Sequence, residues 1–124
     1  MIREDVCTGI MEKLRTANTL TSFDVKDYPN LALSSKELSA IAQVIYTYCP
    51  EFFIRLKMQY PKLNAKDIVL CRLYLLNLKV LQVAILLGTD YSSVRKRTHR
   101  LKEKMGCEDL CLKLKQIFLS TVPI

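Results

Sequence analysis

Apolar residues recur at helical spacing along almost the whole chain, and this regularity leaves little room for another architecture. Val6, Ile10, Met11 and Leu14 fall on one side of a helix over roughly residues 3–16. Leu38, Ile41, Ala42, Ile45 and Tyr48 form a second stripe, opened by Ser34 and Glu37 at capping-box spacing. Pro50 stops that helix, and Phe52, Phe53 and Leu56 carry a third face until Tyr60-Pro61 ends it. The period is lost over residues 17–33, where Asn18, Thr19, Asp24, Asp27, Pro29 and Asn30 predict a connecting loop. The Val- and Ile-rich runs that strands would use have no Asn-Gly or Asp-Gly turns to join them. The chain is expected to be all-α.

Beyond Pro61 the punctuation tightens. Asn64 is placed to cap a helix that presents Ile68, Cys71 and Leu75, and Asn77-Leu78 breaks it. A helix over about residues 79–87 presents Val80, Val83, Ala84 and Leu87, followed by a turn at Gly88-Thr89. A further helix over about residues 90–105 starts at Asp90 or Ser92 and stops at Gly106. Glu108 and Asp109 open a last helix whose inner face is Leu110, Leu114, Ile117 and Phe118. Helix, tight turn, helix is the helix-turn-helix plan, in which the second helix lies across the first. Ala84 permits close approach, Gly88 frees the turn, and Val94 and Leu101 supply the inner face of the second member.

Charge divides the chain at about the same place. Residues 1–62 carry eight basic and seven acidic side chains, residues 63–124 eleven and five. Six cations (Arg95, Lys96, Arg97, Arg100, Lys102 and Lys104) crowd residues 88–106 against Asp90 and Glu103 alone. A capped helix so charged suits a polyanion, double-stranded DNA foremost. The division predicts an N-terminal helical region, 1–62, of bland charge, packed on a DNA-binding helix-turn-helix bundle, 63–124.

Other chemistry is poorly provided for. No Walker loop, GxGxxG, HExxH or GxSxG occurs, so an enzyme is not expected and no cofactor is implied. Of the five cysteines, Cys7, Cys49, Cys71 and Cys111 lie beside or within apolar runs, as buried free thiols do. Cys107 and Cys111, four apart and read as one helix face, lack the ligand partners of a zinc site, and no metal is assigned. His99, set among cations with no carboxylate signalled beside it, is no partner for a nucleophilic cysteine. Phe52, Phe53, Tyr46, Tyr48 and Tyr60 fall in the neutral half at helical spacing and are assigned to the core rather than to base stacking. No apolar run reaches the ~18 residues of a membrane span, and no signal-peptide core opens the chain. With an odd count of unpaired cysteines, the expected place is the cytoplasm.

The segment 63–105 resembles the LuxR-type (GerE-type) helix-turn-helix, the DNA-binding output domain of many bacterial transcriptional regulators. The matching pieces are Leu63-Asn64, Asp67, Val69-Leu70, Asn77-Leu78, Val83-Ala84, Ser92-Ser93-Val94 and Lys104-Met105-Gly106, aligned without a gap. The preceding F-F-I-R-L-K-M-Q-Y-P-K-L is similar to a helical segment that precedes such domains in longer sensor-regulators. Two positions depart from the pattern. Leu81 stands where the family has a phosphate-contacting Lys, and Asn77 where it has Gly.

The resemblance implies that residues just after Val94 face the major groove. Arg95, Lys96 and His99 are then assigned to base edges. Lys79, Ser92, Ser93, Arg97, Arg100 and Lys102 are assigned to phosphates, which set register rather than sequence. It also implies pairing of two copies through the last helix, where Leu112 and Leu119 make a second apolar stripe. The rival reading keeps the scaffold without DNA binding, as a helical module that docks on protein, RNA polymerase for instance.

Overall fold

The computed structural model describes residues 4–17 and 31–121, and among these every regular element is a helix. In chain order they are α1 (Glu4–Ala17), α2 (Ser35–Tyr48), α3 (Phe52–Gln59), α4 (Ala65–Leu75), α5 (Val80–Leu87), α6 (Tyr91–Met105) and α7 (Leu110–Thr121). Most of the loop expected over residues 17–33 lies outside the described residues.

Side chains written into the sequence set the helix starts. Ser34 Oγ accepts the Glu37 N–H at 3.1 Å while Glu37 Oε1 accepts the Ser34 N–H at 2.9 Å. Asn64 and Asp67 make the same reciprocal pair at 2.9 and 3.0 Å, and Asp109 accepts the Leu112 N–H at 3.0 Å. Each cap satisfies N–H groups that a first turn leaves free. The stops are backbone events. Gly88 (φ 65°) and Gly106 (φ 61°) end α5 and α6 in the left-handed region, and Asn77 adopts it too at φ 66°. Asn is the best substitute for Gly there, so the departure at this position leaves the turn intact.

α4 is the hub, packed against α2, α5, α6 and α7. α1 lies on α2 and α5, and α3 lies on α2 and α7. One continuous core results, running from Ile10 and Ile41 through Phe52, Leu70, Leu73, Val83 and Leu86 to Leu101, Leu114 and Ile117. α5 is buried nearly all round, with Val83, Ala84, Ile85 and Leu86 at zero exposure, because α1, α4 and α6 enclose it. The strap before α2 closes over the turn between α5 and α6. The Leu33 N–H donates to the Leu86 carbonyl at 2.6 Å, and a side chain at Gly88 would meet Ala32 at 3.2 Å. Lys13 holds that strap by donating to the Ala32 carbonyl at 2.9 Å and to Glu37 at 2.6 Å.

Three expectations are corrected. Tyr46 and Tyr48 are not core residues but stand 59% and 70% exposed. Tyr46 lies off the Ile41–Ile45 stripe. Tyr48 is the last residue of α2, and the C-cap Cys49 turns inward in its place, against Phe118 and Thr121. Phe52 is fully buried, edge-on to Phe53 at 5.1 Å and to Phe118 at 5.8 Å, with Phe53 and Tyr60 half-buried. Second, Cys107 and Cys111 do not share a helix, because Gly106 ends α6 and α7 begins only at Leu110. Third, among the described residues Cys49 and Cys71 are the buried free thiols, while Cys111 is half-buried, as is Cys107. Burial, reinforced by Asp67 and Cys107 nearby, pushes the Cys71 thiol up to about 12. The side chain of Cys7 lies outside the described residues.

No helix among the described residues is long and apolar enough to cross a membrane.

Candidate nucleic-acid interface

α6 divides lengthwise by the chemistry of its side chains. Val94, Thr98, Leu101 and Met105, three and four apart, are buried and form its inner edge. Ser92, Arg95, Lys96, His99, Arg100 and Glu103 are exposed on the remaining surface. Asp90 fixes where this pattern begins. Its carboxylate accepts the Ser93 N–H at 2.9 Å and the Ser93 hydroxyl at 2.8 Å. The backbone bond first, then the hydroxyl bond, hold Asp90 below its ordinary carboxylate range.

Two polar ties lock α6 onto α4. The Tyr74 and Thr98 hydroxyls are 2.6 Å apart in the interior, so the one buried polar residue of the inner face is satisfied. Burial raises the Tyr74 phenol, against the opposing effect of the Thr98 bond. Nearer the other end, Lys104 Nζ reaches Asp67 Oδ2 at 2.6 Å. Asp67 therefore serves twice, closing the first turn of α4 and receiving the last cation of α6. Lys104 is thus paired within the protein, unlike Arg95 and Lys96.

The exposed side of α6 faces a groove of about 610 Å³ whose far wall is the start of α5. Val80, Tyr91, Ser92, Arg95, Lys96, His99, Arg100 and Lys102 line it together. All three residues assigned to base edges are thus brought together with three of the phosphate set. Lys79 is exposed and precedes Val80 in the chain, at the N-cap of α5, where its N–H donates to Gln82 Oε1 at 2.8 Å. Ser93 and Arg97 do not line the groove. Ser93 is half-buried with its hydroxyl given to the Asp90 cap, and Arg97 is half-buried on the flank. Leu81 is half-buried.

Two residues outside the sequence assignments belong to this surface. Tyr91 opens α6 and lines the groove beside Ser92 and Arg95, its ring at the surface. Glu103 Oε1 lies 2.9 Å from His99 Nε2, with His99 75% and Glu103 66% exposed. The expectation that His99 lacks a carboxylate neighbour is therefore corrected. Its signal was in the sequence as an i, i+4 pair on one helix face.

Among known proteins, no family model, no curated protein and no solved structure matches the chain.

Proposed function

We propose that the chain binds double-stranded DNA through α6 and acts as a transcriptional regulator. The observation that carries this reading is the arrangement of α6. A capped helix of fifteen residues is held to α4 by its buried side and presents Arg95, Lys96 and His99 together across a groove-sided outer face. A rigid cationic helix at a protein surface fits the width of a DNA major groove. The resemblance of residues 63–105 to LuxR-type domains supports the same reading on different grounds. Neutralisation of about five phosphates gives log affinity a slope of about −4 to −5 against log salt.

Gel shift and fluorescence anisotropy on mixed duplex DNA at low salt test it. Arg95→Ala with Lys96→Ala removes the base-edge pair and lowers affinity for a selected site by about tenfold to a hundredfold per contact. Arg100→Ala with Lys102→Ala weakens all sequences alike and flattens the salt slope by roughly one to two. Absence of salt-sensitive binding by the unaltered chain at micromolar concentration sinks the reading.

One observation favours protein docking as well. Leu112 and Leu119, seven residues apart, are exposed on one side of α7, an apolar stripe opposite in kind to the outer face of α6. Pairing of two copies through α7 would cover Leu112 and Leu119 and place two DNA half-sites about 10 bp apart. If DNA binding fails while this surface still associates, the chain is a protein-interaction module on a helix-turn-helix scaffold.

A further inference from the structure

We infer that the apolar groove between α1, α2 and the end of α4 docks an amphipathic helix of another protein, which seats an apolar side chain in the groove and an acid on Arg72. No residue of α5 or α6 lines this groove, so the inference does not rest on the DNA-binding reading.

Burial defines the groove. Ile10, Ile41 and Ile45 form its buried floor, and Met11, Val44 and Leu76 stand exposed at its rim. Every side chain that lines it is apolar. Spacing sets Met11 with Ile10 and Leu14 on the apolar side of α1, yet Met11 is 57% exposed. Exposed apolar residues are ordinarily scattered singly, and three around one hollow mark a contact surface. The hollow holds about 170 Å³. Small-molecule sites run to about 300–1,000 Å³, so this one suits a single inserted side chain. The flexible Met11 thioether lets the rim close on it.

Charge states the partner's chemistry. Arg72 lies one helical turn before Leu76 on the same side of α4, roughly 5–6 Å from it. Its guanidinium carbon sits over the Phe53 ring, 5.5 Å from the centroid. Among the described residues Arg72 makes no ion pair, and its Nε is buried without an acceptor. Burial pushes the guanidinium below its ordinary value, and no acid offsets it. A part-buried cation in that condition is costly, and a carboxylate brought to it supplies the charge-assisted bonds it lacks. The Phe53 ring holds the group in place beforehand, so little order is lost on binding.

One element meets both demands. A helix laid in the groove projects side chains at i, i+3 and i+4 to one side. An apolar anchor between Val44 and Leu76 then leaves an Asp or Glu one turn away at Arg72. A second copy of this chain fits poorly. Its exposed apolar stripe, on α7, has Lys113 and Lys115 beside it, and α7 itself contains no acid. Those lysines would meet Arg72 as like charges.

The probe is a phage-displayed library of helical peptides, apolar at i, i+3, i+4 and i+7 and randomised elsewhere, selected on the full chain. The expected peptides carry Asp or Glu at one fixed spacing from an apolar anchor. Changing that acid to its amide in the synthetic peptide weakens binding by about tenfold. Arg72→Gln weakens it by the same factor, and the two changes together cost no more than either alone. Val44→Lys fills the groove while adding a cation, so it abolishes docking where charge attraction alone would strengthen binding. Circular dichroism melting checks the fold of both variants, and the amide peptide tests the acid on the unaltered chain.

Selection of no peptide, of peptides with no shared acid, or equal binding of acid and amide peptides overturns the inference. So do losses from the peptide acid and from Arg72 that simply add, because the acid then lies elsewhere. Binding that survives Val44→Lys does the same. Self-association in sedimentation that Val44→Lys removes also overturns it, because a second copy then covers the groove.

Discussion

α6 and α7 are built alike and end up opposite. Each is an amphipathic helix of three to four turns, each begins behind an aspartate that accepts an N–H of the first turn, and each buries an apolar stripe against α4. Their outer faces differ. α6 turns Arg95, Lys96, His99 and Arg100 to solvent, and α7 turns Leu112 and Leu119, the latter 71% exposed. The inner faces decide the fold and can be nearly interchangeable in kind. The outer faces offer different chemistry to a partner, apolar surface to be desolvated in one case and charge to be neutralised in the other.

The largest effect that tests this comparison lies on an inner face. Leu101→Ala removes a fully buried side chain between α6 and its neighbours and should cost about 2–5 kcal/mol in urea unfolding. A cost under about 1 kcal/mol would mean that α6 is not seated on the core as described. On the outer face of α7 the expected result is the reverse. Leu119→Asp should abolish concentration-dependent self-association in sedimentation while moving monomer stability by no more than about 0.5 kcal/mol. Association unaffected by the charge would remove α7 from the pairing surface.

The smallest effect concerns the start of α6. Asp90 is held below the ordinary carboxylate range by the bonds from Ser93. A group with a depressed folded value contributes stability above its unfolded pKa, and that contribution is lost as pH falls through the folded value. Glu37 behaves likewise. Its burial opposes ionisation, but the Lys13 and Ser34 bonds outweigh it and its value is lowered. Acid should therefore weaken two caps in the same window, below the ordinary carboxylate range. Asp90→Asn keeps an N-cap acceptor without a titrating group. Its acid unfolding, followed by helical circular dichroism, should be shallower than that of the unaltered chain and not merely shifted.

Much of this was legible from short-range rules, and the reason is physical. Ser34, Asn64, Gly88, Asp90 and Gly106 act on backbone groups a few residues away, so spacing in the chain equals spacing in space. The ends of α4, α5 and α6 follow from them. The inner stripes of α6 and α7 follow from the helical period. What spacing could not supply is the withdrawal of Lys104 to Asp67, thirty-seven residues away, or the Tyr74–Thr98 contact across twenty-four. Nor could it supply the exposure of Tyr48, which shares the stripe of Ile41 and Ile45 yet is the last residue of α2, where Cys49 turns inward in its place.

The sequence by itself thus determined that the chain is helical, the extents of α4, α5 and α6, the opening of α7, and which of them carries the charge. Those properties depend on caps, period and composition, all local. Only the tertiary structure decided which cations remain free, because that depends on which acids the packing of α4 and α6 brings within reach. It left Arg95 and Lys96 on the surface and gave Lys104 to Asp67, and so turned a run of like charges into a surface with distinct groups at distinct places.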